Sequence, residues 1–191
     1  MALVNVARRE VLCKIVYYGP GYCGKTTNLQ VIHTCVPAQD RGELLAVTTE
    51  QERTLFFDYM PLDLGTVNGY QVRLQMYTVP GQVIYERTRM AVLRGVDGVV
   101  FIADSSPDKM EENMRSVHEL EQHLASLHKD ISSLPLVMQW NKRDLPDAVP
   151  VATLDHYLNR WNSQCLPATA LLGDGVLQTL RSISLAVISH L

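Results

Sequence analysis

The sequence predicts an α/β fold: a mostly parallel sheet covered by helices on both faces, with one antiparallel hairpin strand at its edge. Three observations predict it. A strand-like run, Cys13-Lys14-Ile15-Val16-Tyr17-Tyr18, leads into a glycine loop and then a helix-compatible segment. Two later runs, Asp97–Asp104 and Leu134–Trp140, are apolar nearly throughout, as strands buried on both faces require. Between them apolar residues step by three or four, the period of a helix packed on a sheet. Strands alternating with helices in this way build parallel sheets with helical crossovers.

One domain, residues 1–191, accounts for the whole chain, a length that supports a substantial core. With 47 % apolar and 19 % charged residues, the composition is that of an ordinary globular protein rather than a disordered one. A formal charge of −3 provides no basic footprint, so nucleic acid is not expected as a partner. Met1-Ala2-Leu3-Val4 runs into Arg8-Arg9-Glu10 without the apolar segment of a secretory leader. No stretch reaches 18 apolar residues, and Ile188-Ser189-His190-Leu191 lacks a prenylation cysteine. The expectation is a cytoplasmic protein with no membrane insertion. Cys13, Cys23, Cys35 and Cys165 form no C-x-x-C pair and fit reduced thiols. Cys23 lies inside the glycine loop, where a helix N-terminus favours the thiolate. The plainer reading is a small residue that fits; the sharper one is redox sensing.

In chain order, the first strand ends at Tyr18, and a helix opens near Thr27-Asn28-Leu29-Gln30-Val31-Ile32. Residues 36–52, rich in Pro, Gly, Gln and charge, read as a mobile loop carrying Thr48 and Thr49. Residues 55–64 read as extended, and because Pro61 cannot donate to a ladder, this strand is assigned to the sheet edge. Asn68-Gly69 is a two-residue hairpin signal. Beyond it Tyr70, Val72, Leu74 and Met76 alternate with Gln71, Arg73 and Gln75, the period of a half-buried strand. Thr78-Val79-Pro80-Gly81-Gln82 is a loop, followed by a polar segment to Arg94. After the buried strand, Ser106-Pro107 supplies a cap and a first-turn proline. Met110, Met114, Val117, Leu120, Leu124 and Leu127 form one helical stripe, read as facing the core rather than a partner groove. Leu134–Trp140 is the next strand, a short polar helix covers 151–161, and 163–170 is a weak strand. A last helix follows Gly175, with Val176, Leu180, Ile183, Val187 and Leu191 on one face.

Gly19-Pro20-Gly21-Tyr22-Cys23-Gly24-Lys25-Thr26 fits G-x-x-x-x-G-K-[ST], and its strand and helix flanks are the context in which that pattern cradles phosphates. Glycines allow the positive φ angles that turn successive N–H groups into one concavity. The helix N-terminus adds partial positive charge beneath it. Lys25 reaches the terminal phosphates of a nucleoside triphosphate, and the Thr26 hydroxyl suits Mg2+. In such a sheet ligands bind where loops leave the carboxyl ends of the strands, so this loop, Gln82, Asn141–Asp144 and Ala168–Ala170 should converge. Asn141-Lys142-Arg143-Asp144 lies about 115 residues beyond the glycine loop, after a buried strand. A carboxylate at Asp144 accepts from guanine N1–H and the exocyclic amine together, a pair of donors that adenine does not offer. Two hydrogen bonds to a charged group, roughly 1.5–3 kcal/mol each, separate the two bases strongly. The stem of Lys142 packs along the base, and Asn141 braces the phosphate loop. The alternative for N-K-R-D alone is a capped surface turn, which the preceding buried strand disfavours.

Together, residues 17–29, Arg53-Thr54-Leu55-Phe56-Phe57-Asp58, Tyr77-Thr78-Val79-Pro80-Gly81-Gln82 and Asn141-Lys142-Arg143-Asp144-Leu145-Pro146 resemble the MglA family of bacterial Ras-like small GTPases. Those are polarity and gliding-motility proteins. The resemblance spans essentially the whole chain and is weakest over 151–172. It implies the three-layer P-loop small-GTPase fold, a six-stranded and mostly parallel sheet with one antiparallel edge strand. It also implies GTP binding with Mg2+ and GTP hydrolysis. By resemblance, the nucleotide is held by Gly19, Pro20, Gly21, Tyr22, Cys23, Gly24, Lys25, Thr26, Thr27, Gly81, Asn141, Lys142, Asp144 and Ala170. Mg2+ falls to Thr26 and Thr54, with Thr48 and Thr49 as competitors of the latter. Gln82 is placed like the residue that positions the attacking water, and Arg53 resembles an arginine finger carried by the same chain. From the residues alone, Gln82 also fits a solvated loop amide and Arg53 a surface ion pair.

One departure from the general small-GTPase pattern is Thr78, which stands where most relatives place the Asp of D-x-x-G. The MglA family carries this threonine. Losing that carboxylate near the metal predicts a metal-bound state assembled less rigidly. Leu171-Leu172 departs from the polar pattern of the base-contacting loop. The resemblance further implies a molecular switch ordered by GTP and Mg2+, with slow intrinsic turnover accelerated by a homodimeric roadblock-fold partner, MglB. That partner aligns Arg53 and Gln82 rather than donating a finger, and the strand near 56–64 shifts register between states. Effectors would be polar-localisation or motility machinery, with recruitment to cell poles. Two other functions compete: a non-catalytic, GTP-stabilised interaction module disabled by Thr78, against which Gln82 and Arg53 speak, and a metabolic kinase, for which no acceptor pocket or arginine-rich lid is evident.

Overall fold

Alternating side chains after Arg9 build the central strand, and the sheet grows from it on both sides. The structure, a computed structural model, describes residues 2–47, 57–81 and 85–191. Among these residues the strands are β1 (Leu3–Asn5), β2 (Glu10–Tyr18), β3 (Leu45–Val47), β4 (Phe57–Val67), β5 (Tyr70–Thr78), β6 (Gly98–Asp104), β7 (Leu136–Asn141) and β8 (Gln164–Pro167). The helices are α1 (Lys25–Cys35), α2 (Glu86–Leu93), α3 (Met110–Ser126), α4 (Val151–Leu158) and α5 (Val176–Ile188). The sheet order is β3-β4-β5-β2-β6-β7-β8, with β1 paired antiparallel to the start of β2. The run from β5 to β8 is parallel, and β4 and β3 are antiparallel additions.

The mostly parallel, helix-covered sheet agrees with expectation, but among the described residues it has eight strands rather than six. The additional ones, β1 and β3, are three residues each and too short to carry a periodic signal. The edge assignment also needs correction. β4 is not the edge: β3 and an Arg41–Leu62 bridge lie outside it. Pro61 tolerates this because its carbonyl accepts from Gly42 N–H at 2.9 Å on the outer side. The N–H that proline lacks faces the same way, so the ladder to β5 loses nothing.

Alternation sorts the central strand into two cores. Cys13, Ile15 and Tyr17 pack with Leu29 and Ile32 of α1 and with Leu180 and Ile183 of α5. Val16 and Tyr18 pack with Val92 of α2, Val117 and Leu120 of α3, and Leu154 of α4. Every residue of β6 and β7 is buried, the pattern of strands covered on both faces. Each fully buried aliphatic side chain contributes about 1.5–3 kcal/mol, so the two helical layers are held by many small terms.

Several local expectations are corrected. The polar segment before Arg94 contains α2, whose buried residues are Thr88, Arg89, Val92 and Leu93. Half of its inward face is polar, which hides the helical period. Ser106 does not cap a helix through its side chain. Its Oγ donates instead to Asp104 Oδ1 at 2.7 Å, ahead of a 3-10 turn at Pro107–Lys109. The α3 stripe faces the core at Met110, Val117, Leu120 and Leu124, with Leu127 packing just past its end, but Met114 is exposed, and Leu191 lies exposed beyond α5. Among the described residues, no helix is long and apolar enough to cross a membrane.

Candidate functional site

β2 ends at Tyr18, and the chain turns through residues 19–24 before α1 begins. Gly24 has φ +103°, and a Cβ there would meet Asn141 Nδ2 at 2.2 Å, so glycine is required twice over. Tyr22 also occupies the left-handed region, at φ 59°, with its side chain 86 % exposed. A bulky residue stays in that region only where the surrounding turn dictates it. The buried Lys25 ammonium donates to the carbonyls of Gly19 and Pro20 at 2.9 and 2.5 Å and lies 3.6 Å from Cys23 Sγ. All four cysteines are free. Burial pushes the Cys23 thiol up, and the nearby Lys25 does not offset it. The expected thiolate preference is therefore reversed: desolvation outweighs the helix terminus.

Beside the loop, Asp58 in β4 gathers two hydroxyls. Thr26 Oγ1 donates to Asp58 Oδ2 at 2.6 Å, and Thr78 Oγ1 donates to the same oxygen at 2.8 Å. Asp58 N–H returns a bond to Thr78 Oγ1 at 2.8 Å. A carboxylate on the neighbouring antiparallel strand therefore stands against the Thr78 hydroxyl and the Thr26 hydroxyl together. Gly24, Lys25, Thr26, Asp58, Thr78 and Gly81 line one cavity of about 390 Å³. Gly81 packs directly on the phosphate loop: a Cβ there would approach Gly21 N to 2.3 Å.

On the other flank, Asn141 at the end of β7 is buried and joins two loops. Its Nδ2 donates to Cys23 O at 2.7 Å, and its Oδ1 accepts from Ala170 N–H at 2.9 Å. Arg143 N–H donates to Ala168 O at 3.1 Å, adding a second tie to the loop after β8. Lys142, at φ 66°, places Nζ 2.5 Å from Asp104 Oδ2. Burial opposes ionisation of Asp104, but the Lys142 ammonium and the Ser106 N–H and hydroxyl outweigh it and hold the carboxyl below the usual range. Asp144 is exposed in the same turn, and Leu171 and Leu172 are exposed beside the buried Ala170.

Two polar clusters beneath the site were not legible in the sequence. Asn28 and Gln139 exchange amide hydrogen bonds at 3.0 and 2.9 Å, and Gln139 Nε2 also donates to Thr179 Oγ1 at 2.9 Å. This ties α1 to β7 and α5 behind the loop. On the opposite face, Tyr18 Oη lies 3.0 Å from His123 Nδ1, and buried Arg89 pairs with Glu119 at 3.2 Å. Neither cluster, nor the Asp58 contact, carries a signal along the chain, because each depends on which residues the sheet pairing and the crossovers bring together. Gln82, Arg53, Thr54, Thr48 and Thr49 lie outside the described residues. The structure thus brings Gly19 to Thr27, Gly81, Asn141 and Ala170 around connected loops, with Lys142 and Asp144 in the adjoining turn.

The family model for the ADP-ribosylation factor family matches residues 43–186, beginning after the phosphate loop. The mutual gliding-motility protein MglA of Myxococcus xanthus is 48 % identical over 191 residues, 100 % of this chain and 98 % of that protein, and so includes the loop. ADP-ribosylation factor-like protein 6 of Caenorhabditis briggsae is 27 % identical over 99 % of this chain and 93 % of its own length. The Ras-like protein rasS of Dictyostelium discoideum is 27 % identical over 74 % of this chain and 65 % of its own. With the parallel sheet, the phosphate loop and the Asn141 turn in place, the chain belongs to the ADP-ribosylation factor family of Ras-like small GTPases, GTP hydrolases, and within it to the MglA proteins.

Proposed function

We propose that the chain, as one GTP-binding domain over 1–191, is a GTP/GDP switch that hydrolyses GTP with Mg2+ and controls polarity and gliding motility in a bacterium. The observation that carries the nucleotide reading is the Asn141 side chain, which joins the phosphate loop to the loop at Ala170 in one frame. Residues 19–27 wrap the phosphates with backbone N–H groups, while Lys25 exchanges its loop carbonyls for phosphate oxygens. Asp144 reads the guanine edge, Lys142 covers the base, and Ala170 N–H stands beside it.

A magnesium site is supported by its donor set. Thr26 Oγ1 and the Asp58 carboxylate are hard oxygen donors 2.6 Å apart on the cavity wall, the ligand chemistry that suits Mg2+. When bound with the nucleotide, Mg2+ supplies charge neutralisation at the phosphate oxygens. Thr26 and Thr54 would hold it, and Asp58 would orient its surroundings in the role that Thr78 leaves open. Gln82 orients the attacking water, Gly81 N–H meets the third phosphate, and Arg53 neutralises the charge spreading over the transferred group. The partner is a roadblock-fold homodimer like MglB that aligns Arg53 and Gln82. Effectors belong to polar-localisation or motility machinery, and the protein works in the cytoplasm with recruitment to the poles.

Single-turnover hydrolysis of GTP by the purified chain, with and without a roadblock homodimer, tests this. Gln82→Ala or Arg53→Ala should slow turnover about ten- to a thousandfold with GTP binding intact. Phosphate release absent under both conditions refutes the switch. Asp58→Asn should raise the Mg2+ concentration needed for half-maximal turnover about tenfold or more; an unchanged requirement removes Asp58 from the metal's surroundings.

A further inference from the structure

Arg89 is a buried charge that the phosphate chemistry leaves unexplained. It projects from α2 yet is only 2 % exposed. Its guanidinium pairs with Glu119 of α3 at 3.2 Å and lies against the Tyr18 hydroxyl at the end of β2. Through Nη1 it also donates a long hydrogen bond, 3.5 Å, to the carbonyl oxygen of Pro80. Burying a guanidinium is unfavourable unless its donors are met, and a helix that only had to pack on α3 would be served by an aliphatic residue.

The Pro80 carbonyl shows what the arginine does. The peptide bond from Pro80 to Gly81 is trans, so its C=O and N–H point in opposite directions. A carbonyl held toward α2 and α3 turns the Gly81 N–H the other way, toward the phosphate loop. Gly81 packs against Gly21 so closely that no Cβ fits, and Pro80 and Gly81 line the cavity that also exposes Lys25 and Thr26. Tyr18 directly precedes Gly19, so one guanidinium touches the residues at the root of both loops.

We propose that Arg89 is a positioning residue that aims the Gly81 amide at the terminal phosphate of a nucleoside triphosphate, with Glu119 and Tyr18 fixing the guanidinium. The assignment rests on the guanine-nucleotide reading of the cavity. A diphosphate has no atom where that amide points, so Arg89 supports the affinity for GTP and leaves that for GDP alone.

The test is competition binding of GDP and a non-hydrolysable GTP analogue, with Mg2+, to the full chain and to Arg89→Met, Arg89→Lys and Glu119→Gln. Melting of the GDP-loaded proteins is measured alongside. One hydrogen bond to a charged oxygen corresponds to about tenfold in affinity, so Arg89→Met should weaken the analogue about tenfold while GDP stays within about twofold. Arg89→Lys should recover part of the loss. Glu119→Gln, which keeps the arginine but loosens it, should shift the ratio less and in the same direction. A role in packing alone lowers the melting temperature and both affinities together, leaving the ratio at the parent value. That outcome in Arg89→Met, or in Glu119→Gln if Arg89→Met does not fold, overturns the assignment. A parent chain that binds neither nucleotide overturns the underlying reading of the cavity instead.

Discussion

Replacing Asn141 by alanine should be the most informative single change, because one buried amide joins the two loops of the site. The substitution removes the bond to Cys23 O at 2.7 Å and the one from Ala170 N–H at 2.9 Å. Cys23 and Ala170 are almost fully buried, so both backbone groups lose their partner where bulk water does not reach. An orphaned buried polar group costs about 1–3 kcal/mol, so the two give a loss of about 2–6 kcal/mol against a typical domain stability of about 5–15 kcal/mol. At this chain length, with about 2–4 °C per kcal/mol, that corresponds to a fall in Tm of about 4–24 °C. Urea and thermal unfolding without nucleotide measure it, and GTP affinity should fall as well, since the loops no longer share a brace. Gly24→Ala provides a cross-check. Its added methyl collides with Asn141 Nδ2, so in an Asn141→Ala background the steric part of its cost should vanish, leaving the strain of φ +103°. A loss under about 1 kcal/mol for Asn141→Ala, or additive costs in the double variant, would refute the brace.

Gly81→Ala should force the segment after Val79 off the phosphate loop, because its Cβ would lie 2.5 Å or less from Gly21 backbone atoms; GTP-analogue binding should fall more than GDP binding, and equal effects on the two would contradict this. His123 is held below the ordinary histidine range by burial first and the Arg89 charge second, against the pull of Glu86 and Glu119. The unfolded chain therefore takes up the proton first, and stability falls as pH drops below about 6.5. His123→Gln should flatten that part of the pH–stability curve, and an unchanged slope would exclude this histidine as its source. Lys142→Met strips the cation from buried Asp104 and should cost roughly 1–3 kcal/mol at neutral pH, the partly exposed lysine limiting the effect. Because the Asp104 carboxyl is held low in the native chain, the difference from the parent should close below about pH 4, as that carboxylate is protonated; a difference that persists in acid would place the cost elsewhere.

Legibility tracked the range over which each feature is encoded. β2, β6, β7, α3 and α5 were readable because their burial repeats along a continuous segment, with period 2 or 3.6 or as an unbroken apolar run. β1 and β3 were not, since three residues hold no period. α2 was missed because Arg89 and Thr88 occupy inward positions that a hydrophobic pattern assigns to apolar residues. The edge rule for proline failed at Pro61 in an instructive way: proline forbids donation on one side of a strand, and whether another segment accepts that bargain depends on where Gly42 falls.

By itself the sequence determined the chemistry of each loop: a glycine turn ending in Lys25-Thr26, an amide and carboxylate at Asn141 and Asp144, and the sheet order of strand and helix that sends both toward the same end. These are local, and local patterns survive in one dimension. Tertiary structure alone decided which side chains complete them. Whereas the Asn141 brace on the phosphate loop was already legible in its motif, Asp58 gathers the Thr26 and Thr78 hydroxyls, Gln139 ties Asn28 to Thr179, and Arg89 enters the interior to meet Glu119 and the Pro80 carbonyl. Each of those contacts joins residues from different elements, and no propensity or period records a distance that exists only after the crossovers have closed.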